Sequence, residues 1–284
     1  SAEQIAERTA GPAIVLGNKI MISESLFAGA PEMRFIGLTA TGTDNIDLES
    51  ARKHGVAVAN IRAYCTQSVV EHVFGCLLGL THSLRSYDSD VRGGAWQQAS
   101  NFCMLTHPIN ELSAMTLGIV GFGELGKGTA RLGAAFNMEV IVAARPGSDD
   151  VPDGRVSFDE LLRRSDVISL HCPLNDTTRG LFGADEFRRM KSSGLLINTA
   201  RGALIDTQAL ADALHSGEIA GAVIDVLPKE PPIDGDPLLD YEGSNLILTP
   251  HIAWGTREAR QAGVDQLTEI VAAFLRGEEM NRDV

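Results

Sequence analysis

The chain is predicted to be an α/β protein with two domains, each built around a parallel sheet. Three observations predict this. Its 284 residues leave room for two domains. Short β-branched runs alternate with helix-length amphipathic stretches almost throughout, the rhythm of βαβ units. One such run, TLGIV, leads directly into a glycine-rich turn, GFGELG.

Composition bounds the class. Hydrophobic residues make up 44% and charged residues 21%, the balance of a globular protein with sizeable cores. Aspartate and glutamate (37) outnumber lysine and arginine (24), giving a formal charge of −13. So acidic a surface repels nucleic-acid phosphates and anionic lipids, so neither is an expected partner. A small anion in a local basic pocket is still permitted. Four cysteines, Cys65, Cys76, Cys103 and Cys172, form no CxxC pair and read as free thiols of a reducing compartment, the cytoplasm. No apolar run approaches the roughly 18–20 residues that span a bilayer, and no secretory signal is visible. The chain opens on Ser1, which leaves room for an upstream segment.

Taken in order, AIVLGN, SESLFAGA, MRFIGLTA, DNIDLESARKHG and VAVAN read as strand, helix, strand, helix, strand over roughly residues 13–60. A helix is predicted from Ser68 to residue 86. Val69, Val70, Val73, Phe74, Leu77 and Leu78 form its apolar stripe, Ser68 and Glu71 form a capping box, and His72 and His82 both lie on it as structural residues. The looser stretch RGGAWQQASNFCMLTHPINELSAM, with Trp96, reads as a linker or as an arm reaching a partner chain. Further strands are predicted at 117–121, 139–143, 166–171, 194–198, 222–226 and 245–249. Between them, SFDELLRR starts on a Ser157–Glu160 capping box, and DTQALADALHSG runs from an Asp206 N-cap to a Gly217 stop. A final helix, Thr256 to Arg276, ends at Gly277 and is expected to pack back on the first block. The domains are therefore 1–64 plus 255–284, and 65–254. The first block offers only three strands, so an N-terminal strand is expected to be missing from it.

GFGELG places Gly121, Gly123 and Gly126 in the order G-x-G-x-x-G, after a strand and before the helix KGTARLGAAF. This is the dinucleotide-binding context. The first glycine makes the turn, the second admits the pyrophosphate, and the third lets helix and strand pack closely. Backbone N–H groups at the helix start, around Glu124 and Leu125, would hold the phosphates. Two doubly wound, Rossmann-like domains with a cleft between them are the expected architecture. A carboxylate that grips the adenosine ribose should end the next strand. That position is Ala144, 23 residues after Gly121, and Arg145 follows. Losing the carboxylate removes repulsion of a 2′-phosphate, and a guanidinium can bind one, so NADP is favoured over NAD. In the alternative, Arg145 faces solvent or stacks on adenine and NAD is still accepted.

Three polar residues follow successive predicted strands: Arg201 in LLINTARGALID, Glu230 in VIDVLPKEPP and His251 in LILTPHIAW. Each has an ordinary reading as an exposed or capping residue, but together they form a catalytic set. Arg201 could bind and polarise an α-keto acid. His251 could pass a proton to its oxygen, with Glu230 favouring the imidazolium. His171 beside Cys172 lacks further ligands at metal-binding spacing, so no metal is expected.

These motifs, with TATGTDNID, TQSVVEHVF, SDVISLHCPLNDTTRGLF and TPHIAW, resemble the D-isomer-specific 2-hydroxyacid dehydrogenases from about residue 11 to the end. ATGTDNID and HIAW look most like the glycerate dehydrogenase/hydroxypyruvate reductase branch. The resemblance implies Arg201, Glu230 and His251 as the catalytic residues. It implies substrate binding by backbone N–H groups near Thr41 and Gly42, with Lys19 facing the same cleft or lying on the surface. Cys172, Thr199, Ala200 and Asp225 match positions along the nicotinamide half of the cofactor site. Asp225 is expected near the carboxamide, or else as a strand-end cap, and Trp254 closes the cleft or packs. The implied activity is NADPH-dependent reduction of hydroxypyruvate to D-glycerate, and of glyoxylate to glycolate, by a homodimer. The alternatives are an NADH-dependent enzyme for another 2-hydroxy acid, and a cofactor-sensing corepressor-like protein of the same fold.

Overall fold

A computed structural model describes residues 2–148 and 150–284. The chain divides into two compact units, Ser1–Cys65 with Gly255–Val284, and Thr66–Trp254.

In the first unit, β1 (Ile14–Gly17), β2 (Phe35–Leu38) and β3 (Ala57–Asn60) form a parallel sheet in that order. Three further helices are α1 (Ala2–Thr9), α2 (Glu24–Ala28) and α3 (Leu48–His54). Side chains alternate across the sheet, as period-2 geometry requires. Val15, Ile36, Leu38 and Val58 pack with Phe27 and Ala51 on one face. Phe35, Ala57 and Ala59 pack on the other with Leu267 and Ile270 of the last helix, α10 (Arg257–Leu275). The C-terminal segment thus returns to the first block. Local chemistry sets the helix ends: Asp47 accepts a bond from Ser50 N (2.9 Å), and Thr256 caps α10 through Ala259 N (3.2 Å). The tail covers the β3 edge, where Asp283 N donates to Val58 O (2.8 Å). β1 is the other edge, with Leu16 exposed. The strand order is β1-β2-β3, with helices packed on both faces of the sheet, as expected for a Rossmann-like unit.

The second unit carries six parallel strands: β4 (Thr116–Val120), β5 (Glu139–Val142), β6 (Val167–Leu170), β7 (Leu195–Asn198), β8 (Gly221–Ile224) and β9 (Leu246–Leu248). Their order, β5-β4-β6-β7-β8-β9, reverses direction at β4. The strands are short apolar runs because both faces are covered. α7 (Phe158–Arg164), α8 (Ala184–Arg189) and α9 (Thr207–Ser216) bury Leu161, Phe187 and Leu210 in one core with Val120, Leu170, Leu196 and Ile224. α4 (Thr66–Thr81) packs on α6 (Glu124–Ala135) and reaches β8, while α6 packs on β4 and β5. Asp206 caps α9 through Gln208 N and Ala209 N (3.1 Å each), and Gly217 ends it at φ 73°.

Two sequence expectations are corrected here. The helix predicted to run to residue 86 breaks: α4 ends at Thr81, and α5 (Leu84–Arg92) restarts after Ser83 in a left-handed conformation, φ 49°. His82 lies between the two helices. The Ser68–Glu71 capping box does not form either. Helix α4 starts at Thr66, and buried Ser68 Oγ donates instead to Ala253 O (2.6 Å). Among the described residues, no helix is long and apolar enough to cross a membrane.

His171 continues β6 into the loop beneath the glycine turn. Its Nε2 pairs with Ser169 Oγ (2.9 Å), while Nδ1 is buried with no partner among the described residues. Burial pushes this imidazole down to about 4, so the folded protein keeps it neutral where an unfolded chain would protonate it near 6.5. Unfolded chains then bind more protons, and stability falls as pH drops from about 6.5 to about 4, by up to roughly 3 kcal/mol. Urea unfolding across that window is expected to show this loss, with a shallower slope for His171→Asn.

Candidate active site

The turn after β4 sits at the point where the sheet order reverses, the usual place for a ligand in an open α/β sheet. Gly121 holds φ 91°, and any Cβ on it would collide with Cys172 N. A Cβ on Gly126 would collide with Gly121 O, while Gly123 faces open space. Side chains are therefore excluded where backbone meets backbone, and the turn stays bare where a pyrophosphate would approach. Gly123 is the N-cap of α6, with Glu124 and Leu125 in the first turn, so their N–H groups point out of the helix start. Cys172 is buried beneath the turn, and burial pushes its thiol up to about 11, leaving a neutral packing residue.

A cavity of about 610 Å³ opens beside this turn. Gly121, Phe122, Ala144, Arg145, Arg155 and Cys172 are in its wall. Ala144 is buried and Arg145 exposed. No carboxylate lines the cavity among the described residues. Its far side is the loop after Cys172, tied by Asn175 Oδ1 accepting from Thr177 N (3.0 Å) and Thr178 N (3.1 Å). Thr199 Oγ1, on the loop after β7, is buried without a partner among the described residues, a donor awaiting an acceptor. These features fit a dinucleotide: a bare turn at a helix start, an adjoining cleft and an orphaned hydroxyl.

The three polar residues follow β7, β8 and β9, neighbours in the sheet. Arg201 leaves β7 through Asn198, which sequence reading did not single out. Asn198 is fully buried, accepts from Ala200 N (3.0 Å) and donates to Arg201 O (2.9 Å), so its side chain sets the path of the loop. Arg201 Nη1 donates to Ala200 O (2.8 Å). The next residue, Gly202, lies so close to the Leu227–Pro228 backbone that a Cβ there would overlap it. The Arg201 loop therefore rests on the loop that carries Glu230. Glu230 Oε1 accepts from Leu227 N (3.0 Å), and Oε2 meets His251 Nδ1 at 2.6 Å. An apolar cavity of about 310 Å³, lined by Leu227, Pro232, Leu239 and Leu248, borders the pair.

His251 is held in a left-handed conformation, φ 57°, sparsely populated for a residue with a side chain. Asp225, at the end of β8, maintains it. Its backbone O accepts from His251 N (2.7 Å), while its buried carboxylate accepts from Thr249 Oγ1 (2.5 Å), Ile252 N (2.9 Å) and Ala253 N (2.9 Å). These bonds account for its place at the strand end. His72 of α4 braces the same group through Thr249 Oγ1 (3.2 Å), and Trp254 Nε1 donates to His251 O (3.0 Å). Lys19, Thr41 and Gly42 belong to the first unit, on the loops after β1 and β2. Lys19 and Thr41 are exposed, and Asn60 Nδ2 holds the Thr41 carbonyl at 2.7 Å. Among the described residues, no cluster of three or more His, Cys, Asp or Glu could hold a metal.

Asp225→Ala strips the buried amide of Ala253, the part-buried amide of Ile252 and the Thr249 hydroxyl of their acceptor. A loss of about 2–5 kcal/mol of unfolding free energy is expected, with a smaller loss for Asp225→Asn, which keeps one acceptor oxygen. Denaturant unfolding of both variants checks this.

Residues 74–253 match the family described as D-isomer specific 2-hydroxyacid dehydrogenase, NAD binding domain. The chain is 41% identical over 280 residues to a glycerate dehydrogenase of Methylorubrum extorquens, covering 98% of this chain and 88% of that one. It is 35% identical over 282 residues to a hydroxypyruvate reductase of Blautia hydrogenotrophica, covering 98% and 87%. Among solved structures, an acyclic imino acid reductase in complex with NADPH and D-Arg superposes with a TM-score of 0.88 at 28% identity, over 100% of this chain and 89% of the other. With its glycine turn at the sheet's switch point and its chain-length similarity to these reductases, the protein belongs to the D-isomer-specific 2-hydroxyacid dehydrogenases, NAD(P)-dependent oxidoreductases.

Proposed function

We propose that the protein reduces hydroxypyruvate to D-glycerate with NADPH, and glyoxylate to glycolate by the same chemistry. One observation carries the reading: the 2.6 Å pair of His251 and Glu230, the latter on the loop against which the Arg201 loop rests. When bound, the reduced nicotinamide supplies the hydride. The guanidinium of Arg201 binds the substrate and draws charge onto its keto oxygen. His251 delivers the proton that this oxygen needs as the carbon gains hydride. Glu230 accepts a hydrogen bond from Nδ1–H and so leaves Nε2 as the nitrogen that gives up or takes back the working proton. The same pair acts as base when the hydroxy acid is oxidised. Similarity to the Methylorubrum glycerate dehydrogenase supports the choice of substrate.

The cofactor choice follows from the wall of the 610 Å³ cavity. Ala144 stands where a ribose-gripping carboxylate would repel a 2′-phosphate, and Arg145 stands beside it. Exposed apolar side chains on Leu84 and Val91 of α5, and on Trp96, Phe102 and Leu105 of the stretch that follows it, support coverage of this region by a second copy of the chain, as a homodimer.

Steady-state kinetics with hydroxypyruvate, glyoxylate and pyruvate, each with NADPH and NADH, tests the proposal. Negligible turnover of all three acids would refute it. His251→Ala is expected to lower kcat about 10²- to 10⁴-fold while NADPH affinity stays within about twofold. Near-normal kcat would remove His251 from its role. Ala144→Asp is expected to move the NADPH/NADH ratio of kcat/KM towards NADH by about tenfold or more, and an unmoved ratio would overturn the cofactor choice.

A further inference from the structure

We propose that Arg155 is a second anion-binding guanidinium of the cofactor cavity and, with Arg145, selects a ribose that carries a 2′-phosphate. The inference rests on the NADPH reading above and adds to it a residue that no sequence motif marks. Arg155 lies ten positions after Arg145, beyond a loop rich in proline, glycine and aspartate. The fold brings it back. Val156 bridges Ala143 in parallel, with Ala144 N donating to Val156 O (2.8 Å) and Val156 N to Val142 O (3.0 Å). This short ladder extends the sheet beyond β5 and pins the backbone of Arg155 beside the residues that end that strand.

The side chain is also fixed. Its guanidinium carbon lies 4.6 Å from the centroid of the Phe122 ring, and Nη1 donates to Ala143 O at 3.4 Å. Phe122 is the residue between the first two glycines of the turn. The guanidinium is therefore stacked on the turn itself, half-buried, in the wall of the 610 Å³ cavity that Arg145 also lines. A planar fork held on an aromatic face loses little further freedom on binding, and its remaining N–H groups are available to phosphate oxygens.

Neither Arg145 nor Arg155 pairs with a carboxylate among the described residues, although most arginines elsewhere in the second unit do. In a chain of net charge −13, two guanidinium groups in one cavity free of described carboxylates make a local positive field. Binding a neutral ribose has no use for that field. A doubly charged 2′-phosphate does.

The test measures binding without turnover. Wild type and Arg155→Met, which keeps the apolar stem, are titrated with NADPH and NADH by cofactor fluorescence. Adenosine 2′,5′-bisphosphate and 5′-AMP are titrated by calorimetry. Arg155→Met is expected to weaken NADPH and the bisphosphate by about tenfold or more, and to leave NADH and 5′-AMP within about twofold. Unchanged NADPH affinity overturns the inference. So does an equal loss for both cofactors, which would mean that Arg155 stacks on adenine or supports the fold. Wild type that binds NADPH no more tightly than NADH refutes the underlying cofactor reading, a failure visible before any variant is compared.

Discussion

The buried carboxylate of Asp225 is the constraint on which the candidate active site depends. At the end of β8 it gathers Thr249 Oγ1 and the amides of Ile252 and Ala253, while its own carbonyl takes the amide of His251. A left-handed residue with a side chain persists only where its surroundings over-determine it. Here four bonds to one residue do so, and the result is an imidazole held with Nδ1 on Glu230. Charge-assisted bonds to backbone amides are strong, and removing the acceptor leaves the buried amide of Ala253 without a partner. The turn is consequently a rigid mount for His251.

Parallel register explains why the other two polar residues arrive beside it. β7, β8 and β9 run side by side in one direction, so the loops that leave them emerge at one edge. Gly202 then decides how close two of those loops come, because only a residue without Cβ can lie against the Leu227–Pro228 backbone. Asn198 and Glu230 satisfy the loop amides from within, through Ala200 N and Leu227 N. Arg201, Glu230 and His251 thus rest on connections from a sheet buried on both faces, which restricts their freedom.

The cofactor cavity applies a different physics to the same scaffold. Near the glycine turn, backbone N–H groups and a bare surface suit a phosphate whatever the rest of the nucleotide. Farther out, the wall carries the guanidinium groups of Arg145 and Arg155, and the proposed choice of cofactor rests on their charge. An acidic protein that places guanidinium groups and no described carboxylate in one cavity wall concentrates there the attraction that its surface as a whole denies to anions. The neutral, buried Cys172 and His171 lie just beneath, so the floor of the site carries no charge of its own.

Much of this was legible in the amino-acid sequence, because much of it is decided locally. Apolar runs placed β4 to β9 to within a residue or two, and side-chain oxygens and left-handed glycines marked the ends of α9 and α10. Three glycines at fixed spacing after a strand announced the nucleotide turn, and Arg201, Glu230 and His251 could be assigned to loops after successive strands. Tertiary structure decided what depends on partners distant in the chain. Ser68 looks like a helix cap until Ala253, 185 residues away, takes its hydroxyl. The break at Ser83 interrupts an amphipathic pattern that continues across it. Arg155 becomes a neighbour of Phe122 only when Val156 bridges Ala143, and Asp225 becomes an anchor only when β9 lies beside β8. Periodicity and capping act over a few residues and leave a signature in the string. Register, strand order and loop contacts arise from packing the whole sheet, and no short stretch of sequence records them.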